Sequence, residues 1–139
     1  MRSTQRPSKQ SPGLQKYIVH EWIGGGGTAQ VWRATHRATG LQVAIKTLKH
    51  SSKHAKSLHE LFYREAQLIA GLDHPNVLPF MWFPETPRAA FLVRAFVHSS
   101  LKERVTMRPF LTTLERRWIT FQLLTALEQC QSVGLVHGD

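Results

Sequence analysis

Four consecutive glycines, Gly24 to Gly27, stand between two β-prone stretches, "YIVHEWI" and "AQVWRATH". A helix or strand interior tolerates such a run poorly, because each glycine loses much backbone freedom and offers no side chain to pack. The run is therefore a connection, and its neighbours decide which kind. A flexible linker would lead into something unrelated to it. A dinucleotide fingerprint would follow a strand, open a helix and place an acidic residue roughly 20 residues further on. Here the glycines lead into a second strand-like stretch, and Ala44 to His50 holds no Asp or Glu. A Walker loop would carry Gly-Lys-Ser/Thr, which is absent. What remains is a hairpin flap over phosphates. "IGGGGTAQV" joins two strands, and "VAIK" at 43–46 puts a lysine on the next one. Glycine lets backbone amides approach phosphate oxygens with no Cβ in the way. Lysine supplies a flexible point charge, and Glu65 offers a carboxylate to keep it aimed.

The 139 residues suffice for one modest domain with one core. Hydrophobic residues make up 42% and charged residues 19%, which is globular rather than disordered composition. No apolar run approaches the ~20 residues of a membrane-spanning helix, and the longest, Val77 to Phe83, is broken by Pro79. The opening "MRSTQRPSKQSPG" lacks the apolar centre of a secretion signal, and Arg2 stands where N-myristoylation needs glycine. A single cysteine, Cys130, allows no internal disulfide and suits a reducing compartment. A cytoplasmic protein is expected. The net charge of +9 could serve nucleic acid, anionic lipid or nucleotide phosphate. Much of it lies in a tail (Arg2, Arg6, Lys9, Lys16) and in Lys46, Lys49, Lys53 and Lys56, without the aromatic interleaving that stacks bases. No nucleic-acid partner is expected. Nor do His50, His54 and His59 find a cysteine or carboxylate pair to complete a zinc set.

Residues 1–15 read as a disordered basic tail. Three antiparallel strands follow, the second and third joined by "RATG", a turn ending in Gly40. The period then changes: Leu58, Leu61, Phe62, Ala66 and Ile69 predict a helix over 56–71, stopped by Gly71. "VLPFMWF" and "AAFLVRAFV" predict two more strands, joined by "PETPR". A short helical stretch near 100–107 precedes a long helix over 112–133, capped by Thr112 or Thr113 and ended by Gly134. That helix carries two apolar stripes: Leu114, Trp118, Phe121, Leu124 and Leu127; and Ile119, Leu123, Ala126 and Cys130. Such a helix wants neighbours on more than one side.

Four landmarks occur in order: "IGGGGTAQV", "VAIK", "REAQLIAGLDHPNV" and "LVHGD". On these, residues 17–139 resemble a protein kinase. The resemblance implies an α+β fold: a five-stranded antiparallel lobe with one helix over 16–97, then a hinge and the first helices of a helical lobe over 98–139. It implies ATP and Mg2+ as cofactors and transfer of the γ-phosphate to protein hydroxyls. Ile23, Gly24, Gly25, Gly26 and Gly27 would form the flap, and Val31 and Ala44 would sandwich the adenine. Backbone groups of Ala95 and Val97, after the fifth strand, would bond its edge. Lys46 would contact the α/β-phosphates and pair with Glu65, and Asp139 would accept or orient the substrate hydroxyl proton. Ile69, Phe80 and His137 would stack as an apolar spine. The family's later asparagine and its Asp-Phe-Gly metal ligand are not among these residues. The chain is accordingly expected to be an inactive piece of a longer kinase, containing no metal ligand itself.

Three positions depart from the pattern. Thr28 replaces the aromatic at the flap tip, Gly138 replaces an arginine that pairs with a phosphorylated activation loop, and Arg94 lies at the back of the adenine pocket. Across 91–139, the strand arginine, "RPFL", the "ERRWI" and "FQLL" runs and "HGD" look like the vacuolar-protein-sorting kinases that regulate class III phosphatidylinositol 3-kinase complexes. That likeness implies autophagy and vesicular trafficking, the lipid kinase's catalytic subunit as partner, and peripheral residence on endosomal or vacuolar membranes through the complex. Those kinases usually begin Met-Gly and have a degraded glycine loop, unlike this chain. Lys46, Glu65 and Asp139 favour a Ser/Thr protein kinase; Thr28, Gly138 and Arg94 favour a pseudokinase scaffold that binds nucleotide and a lipid kinase without turnover.

Overall fold

A computed structural model describes residues 13–48, 55–82, 91–108 and 110–135. The alternating stretches before residue 49 form strands β1 (Tyr17–Gly25), β2 (Ala29–His36) and β3 (Gln42–Leu48). Strands β4 (Phe80–Trp82) and β5 (Phe91–Ala95) complete a five-stranded sheet in the order β1-β2-β3-β5-β4. Every neighbouring pair is antiparallel. The expected turn between β2 and β3 is present. Gly40 takes φ +68°, a left-handed conformation that glycine adopts without a Cβ penalty. Its N–H donates to the His36 carbonyl at 2.9 Å. β4 is shorter than "VLPFMWF" suggested, since Pro79 has no N–H to give a ladder. Phe83 and the "PETPR" turn lie outside the described residues.

Alternation sends side chains to two different cores. Ala34, Val43, Ile45, Phe91 and Val93 join Leu14 and Tyr17 in the larger one, where Trp82 stacks on Phe91 with centroids 4.6 Å apart. Leu14–Lys16 form one turn of 3-10 helix, so Leu14 and Gln15, assigned to the tail by the sequence, belong to the fold, and Leu14 is only 3% exposed. Arg37 fastens this turn: its backbone N–H donates to the Lys16 carbonyl at 2.8 Å and its Nε to the Gln15 carbonyl at 3.0 Å. The opposite face of the sheet carries Leu48 and Leu92, against which helix α1 (Ala55–Ala70) packs Phe62 and Ala66, with Phe80 alongside. Leu61 had been expected on that stripe but is 63% exposed. It stands about 100° round the helix from Phe62, on the solvent side.

Two further helices follow, α2 (Leu101–Met107) and α3 (Thr113–Ser132). Each opens with a reciprocal capping box, Ser100 with Glu103 and Thr112 with Glu115, satisfying amides that the first turn leaves unpaired. Glu115 also lies 3.5 Å from Arg104 and 3.4 Å from Arg108, joining the end of α2 to the start of α3. Asn76, in the turn after α1, donates its side-chain amide to the Gln122 carbonyl at 3.2 Å and to Thr125 Oγ1 at 3.1 Å. The sheet-bearing part is thereby tied to the middle of α3. At the far end Gly134, at φ +75°, turns the chain out of the helix. Along α3, Leu114, Trp118, Phe121, Leu124 and Leu127 are all exposed, so the first apolar stripe read from the sequence faces outward. No helix among the described residues is long and apolar enough to cross a membrane.

The Thr112 backbone N–H bonded to Glu115, followed by the Thr112 hydroxyl, holds this carboxyl below the usual carboxylate range; Arg108 and Arg104 add to the effect. A depressed folded-state value means that the unfolded chain binds more protons in acid. The stabilisation is thus present above the unfolded carboxylate range and lost as pH falls through the folded value. Glu115→Gln, which keeps a capping amide but no charge, should lower the thermal midpoint at neutral pH. Melting curves across an acid series should show the difference shrinking to nothing once Glu115 is protonated in both states.

Candidate active site

The flap is built by a mismatch in strand length. Between the Val19–Ala34 and Trp22–Trp32 pairs, β1 advances three residues while β2 advances two. Between Trp22–Trp32 and Gly24–Val31 it advances two against one. Two bulges result, and such bulges bend a strand and re-aim its side chains. The hairpin beyond them closes with Gly26 N–H donating to the Ala29 carbonyl at 3.1 Å. Gly25 alone among the four is sterically obliged to be glycine. At φ +150° an added Cβ would stand 2.5 Å from the Ala29 oxygen and 2.9 Å from Gln30 Cα. At Gly24, Gly26 and Gly27 it would meet nothing within 4 Å. Those three glycines leave open space beside the backbone, the condition a phosphate needs to reach main-chain amides. Thr28 sits exposed at the tip.

Cross-strand register assembles the floor. Val31 lies opposite Lys46, and Lys46 opposite Leu92; Ala44 lies opposite Arg33 and Arg94, and Arg94 opposite Phe80. Directly opposed residues share a face of an antiparallel sheet, so Val31, Ala44 and Lys46 come together, each half-buried. Arg94 shares this face. Its charge lies against the Phe80 ring, whose centroid is 4.6 Å from the guanidinium carbon. Ala95 is the last residue of β5, opposite Val43, rather than a residue after the strand. Phe96 N–H donates to the Gln42 carbonyl at 3.4 Å, and Val97 follows, exposed.

Glu65 stands on α1 three residues beyond Phe62, while its side chain lies outside the described residues, as do His137, Gly138 and Asp139. Ile69 is half-buried on α1, and Phe80 packs beside the smaller core. Ile23, between the second bulge and the glycines, is exposed at the root of the flap. Phe62 had been read only as core; its ring lies 5.6 Å from Lys46 Nζ. The sequence held a signal for this, since Phe62 is one helical turn from the residue expected to pair with that lysine. Together these residues present the Lys46 cation beside the open glycine hairpin and an apolar platform of Val31 and Ala44. Such a surface can bind a nucleotide's phosphates and flat base, and contributes no nucleophile of its own.

Residues 17–139 match the protein kinase domain, and the chain belongs to this family. Protein kinases use ATP with Mg2+ and act on protein substrates. The chain is 30% identical, over 92% of its length, to the serine/threonine-protein kinase VPS15 of Arabidopsis thaliana, covering 9% of that protein. It is 31% identical over 88% of its length to the probable serine/threonine-protein kinase vps15 of Dictyostelium discoideum, covering 6%. Sperm motility kinase 3A of Mus musculus is 31% identical over 98% of the chain, which covers 27% of that kinase. The chain thus spans less than a tenth of the two VPS15 proteins.

Gly25→Ala should destabilise the folded chain by about 1–3 kcal/mol through clash and backbone strain. Gly24→Ala, with open space around it, should change thermal stability by no more than about 0.5 kcal/mol. Denaturant unfolding of the two variants side by side checks the contrast.

Proposed function

We propose that this chain is the nucleotide-binding part of a Ser/Thr protein kinase of the VPS15 kind. In the full-length protein, the γ-phosphate of ATP would pass to a Ser or Thr hydroxyl of a protein substrate. The carrying observation is the shared face of Val31, Ala44 and Lys46 beside an open glycine hairpin. In this reading Ile23, Val31 and Ala44 hold the base, and backbone groups of Ala95 and Val97 bond its edge. The amides of Gly24 to Gly27 cover the phosphates. Lys46 carries the charge that the phosphates need, oriented by Glu65. Asp139 takes or orients the hydroxyl proton. Mg2+ bound with the nucleotide supplies further charge neutralisation at the transferring group. Similarity to VPS15 kinases supports a role in autophagy and vesicular trafficking, with the catalytic subunit of a class III phosphatidylinositol 3-kinase as partner. It equally supports peripheral placement on endosomal or vacuolar membranes.

One observation favours a second reading, a pseudokinase scaffold that binds nucleotide without turnover. Arg94, stacked on Phe80, puts a charged residue at the back of the site where kinases usually have an apolar residue or threonine. The two readings agree on binding and part at turnover. In the full-length protein, Lys46→Met should reduce phosphoryl transfer to a protein substrate by roughly 10²-fold or more. Undiminished transfer by the variant would remove Lys46 from the site. Tight Mg-ATP binding by the wild type with no measurable transfer would favour the scaffold.

A further inference from the structure

Three cations share this face of the sheet: Arg33, opposite Ala44, is paired with Glu21 at 2.8 Å, while Lys46 and Arg94 sit over aromatic rings. Lys46 Nζ is 5.6 Å from the Phe62 centroid, and the Arg94 guanidinium is 4.6 Å from that of Phe80. The two rings belong to one small apolar cluster with Leu48, Ala66 and Leu92. Register places Leu92 opposite Lys46 and Arg94 opposite Ala44, so the two positive residues are diagonal neighbours on adjacent strands. Like charges so arranged repel, and a flexible lysine stem would otherwise swing away from its neighbour. A ring face is an electrostatically negative seat that attracts an ammonium without neutralising it. That property matters in a phosphate site, because the lysine keeps its full charge for the ligand.

We propose that Phe62 is a positioning residue for Lys46, an aromatic seat that holds the ammonium in place for nucleotide phosphates. The inference rests on the reading of Lys46 as a phosphate ligand. Phe62 is 6% exposed and is carried by α1, whereas Lys46 is on β3. Docking of the helix against the sheet therefore sets where the lysine is seated. The contact would act alongside the proposed pairing with Glu65 and differs from it in kind: a carboxylate would offset the lysine's charge, the ring steers it.

Packing and steering can be separated by weakening the ring's negative face while keeping its shape. In the full-length protein, Phe62 is replaced by 4-fluoro-, 3,4-difluoro- and 3,4,5-trifluorophenylalanine, and Mg-ATP affinity is measured together with the thermal midpoint. Affinity should fall stepwise with fluorine number, by about three- to tenfold at the trifluoro member, while the midpoint stays constant. A flat affinity series, or one that falls only in step with the midpoint, overturns the steering role and leaves Phe62 as packing alone. Lys46→Met, measured in parallel, keeps the two ideas apart. If it weakens Mg-ATP binding while the fluorine series is flat, the nucleotide site stands and the aromatic seat fails. If it leaves binding unchanged, the reading of Lys46 fails and the seat fails with it.

Discussion

The site depends on the register between β2, β3 and β5. Side chains alternate with a period of two, so a slip of one residue moves every side chain of a strand to the other face. In the observed pairing Val43 and Ile45 enter the larger core while Ala44 and Lys46 face the opposite side, toward helix α1. One step of slippage in β3 would drive Lys46 into an apolar interior and turn Ile45 out to the flap. Burying an unpaired ammonium is far more costly than any loop adjustment, which makes the core the guardian of the lysine's direction. Stability and function are here consequences of the same alternation.

The two faces are finished by different means. The larger core is closed by local chain, the turn at Leu14 and Trp82 stacked on Phe91, and the Arg37 hydrogen bonds fasten that turn from outside. The smaller core is closed by a helix, which brings the Phe62 ring within 5.6 Å of Lys46 Nζ and also carries Glu65. Asn76, immediately downstream, reaches α3 through two hydrogen bonds. Helix α1, its following turn and α3 thus form a connected path from the lysine to the helical part.

Most of the architecture was legible from residue order. The change of period at residue 56, the turn glycines at 40 and 134, and a capping threonine at 112 or 113 each express a local rule. The structure places elements there within a residue or two. β4 was overestimated because its apolar run hid the effect of Pro79 on hydrogen bonding. Leu61 was misassigned because a leucine beside Phe62 satisfies a loose helical spacing while pointing about 100° away. Which glycine is indispensable was not legible: that depends on the approach of Ala29 and Gln30 across the hairpin, a distance between strands rather than a property of the run. The aromatic seats were equally hidden. Phe62 reads as an ordinary core residue of its helix and Phe80 as part of an apolar spine, and neither reading puts a cation over its ring.

The two bulges of β1 have an effect beyond the flap. β1 is an outer strand of the sheet, and it carries Ile18, Trp22 and Ile23 with much of their surface in water. A straight apolar edge of that kind is a template on which strands of other molecules can add. Two extra residues within nine break the regular spacing of its free amides and carbonyls and increase its twist. The bulges that arch the glycine hairpin therefore also make this edge a poor place for another chain to pair, protecting the protein from its own stickiest border.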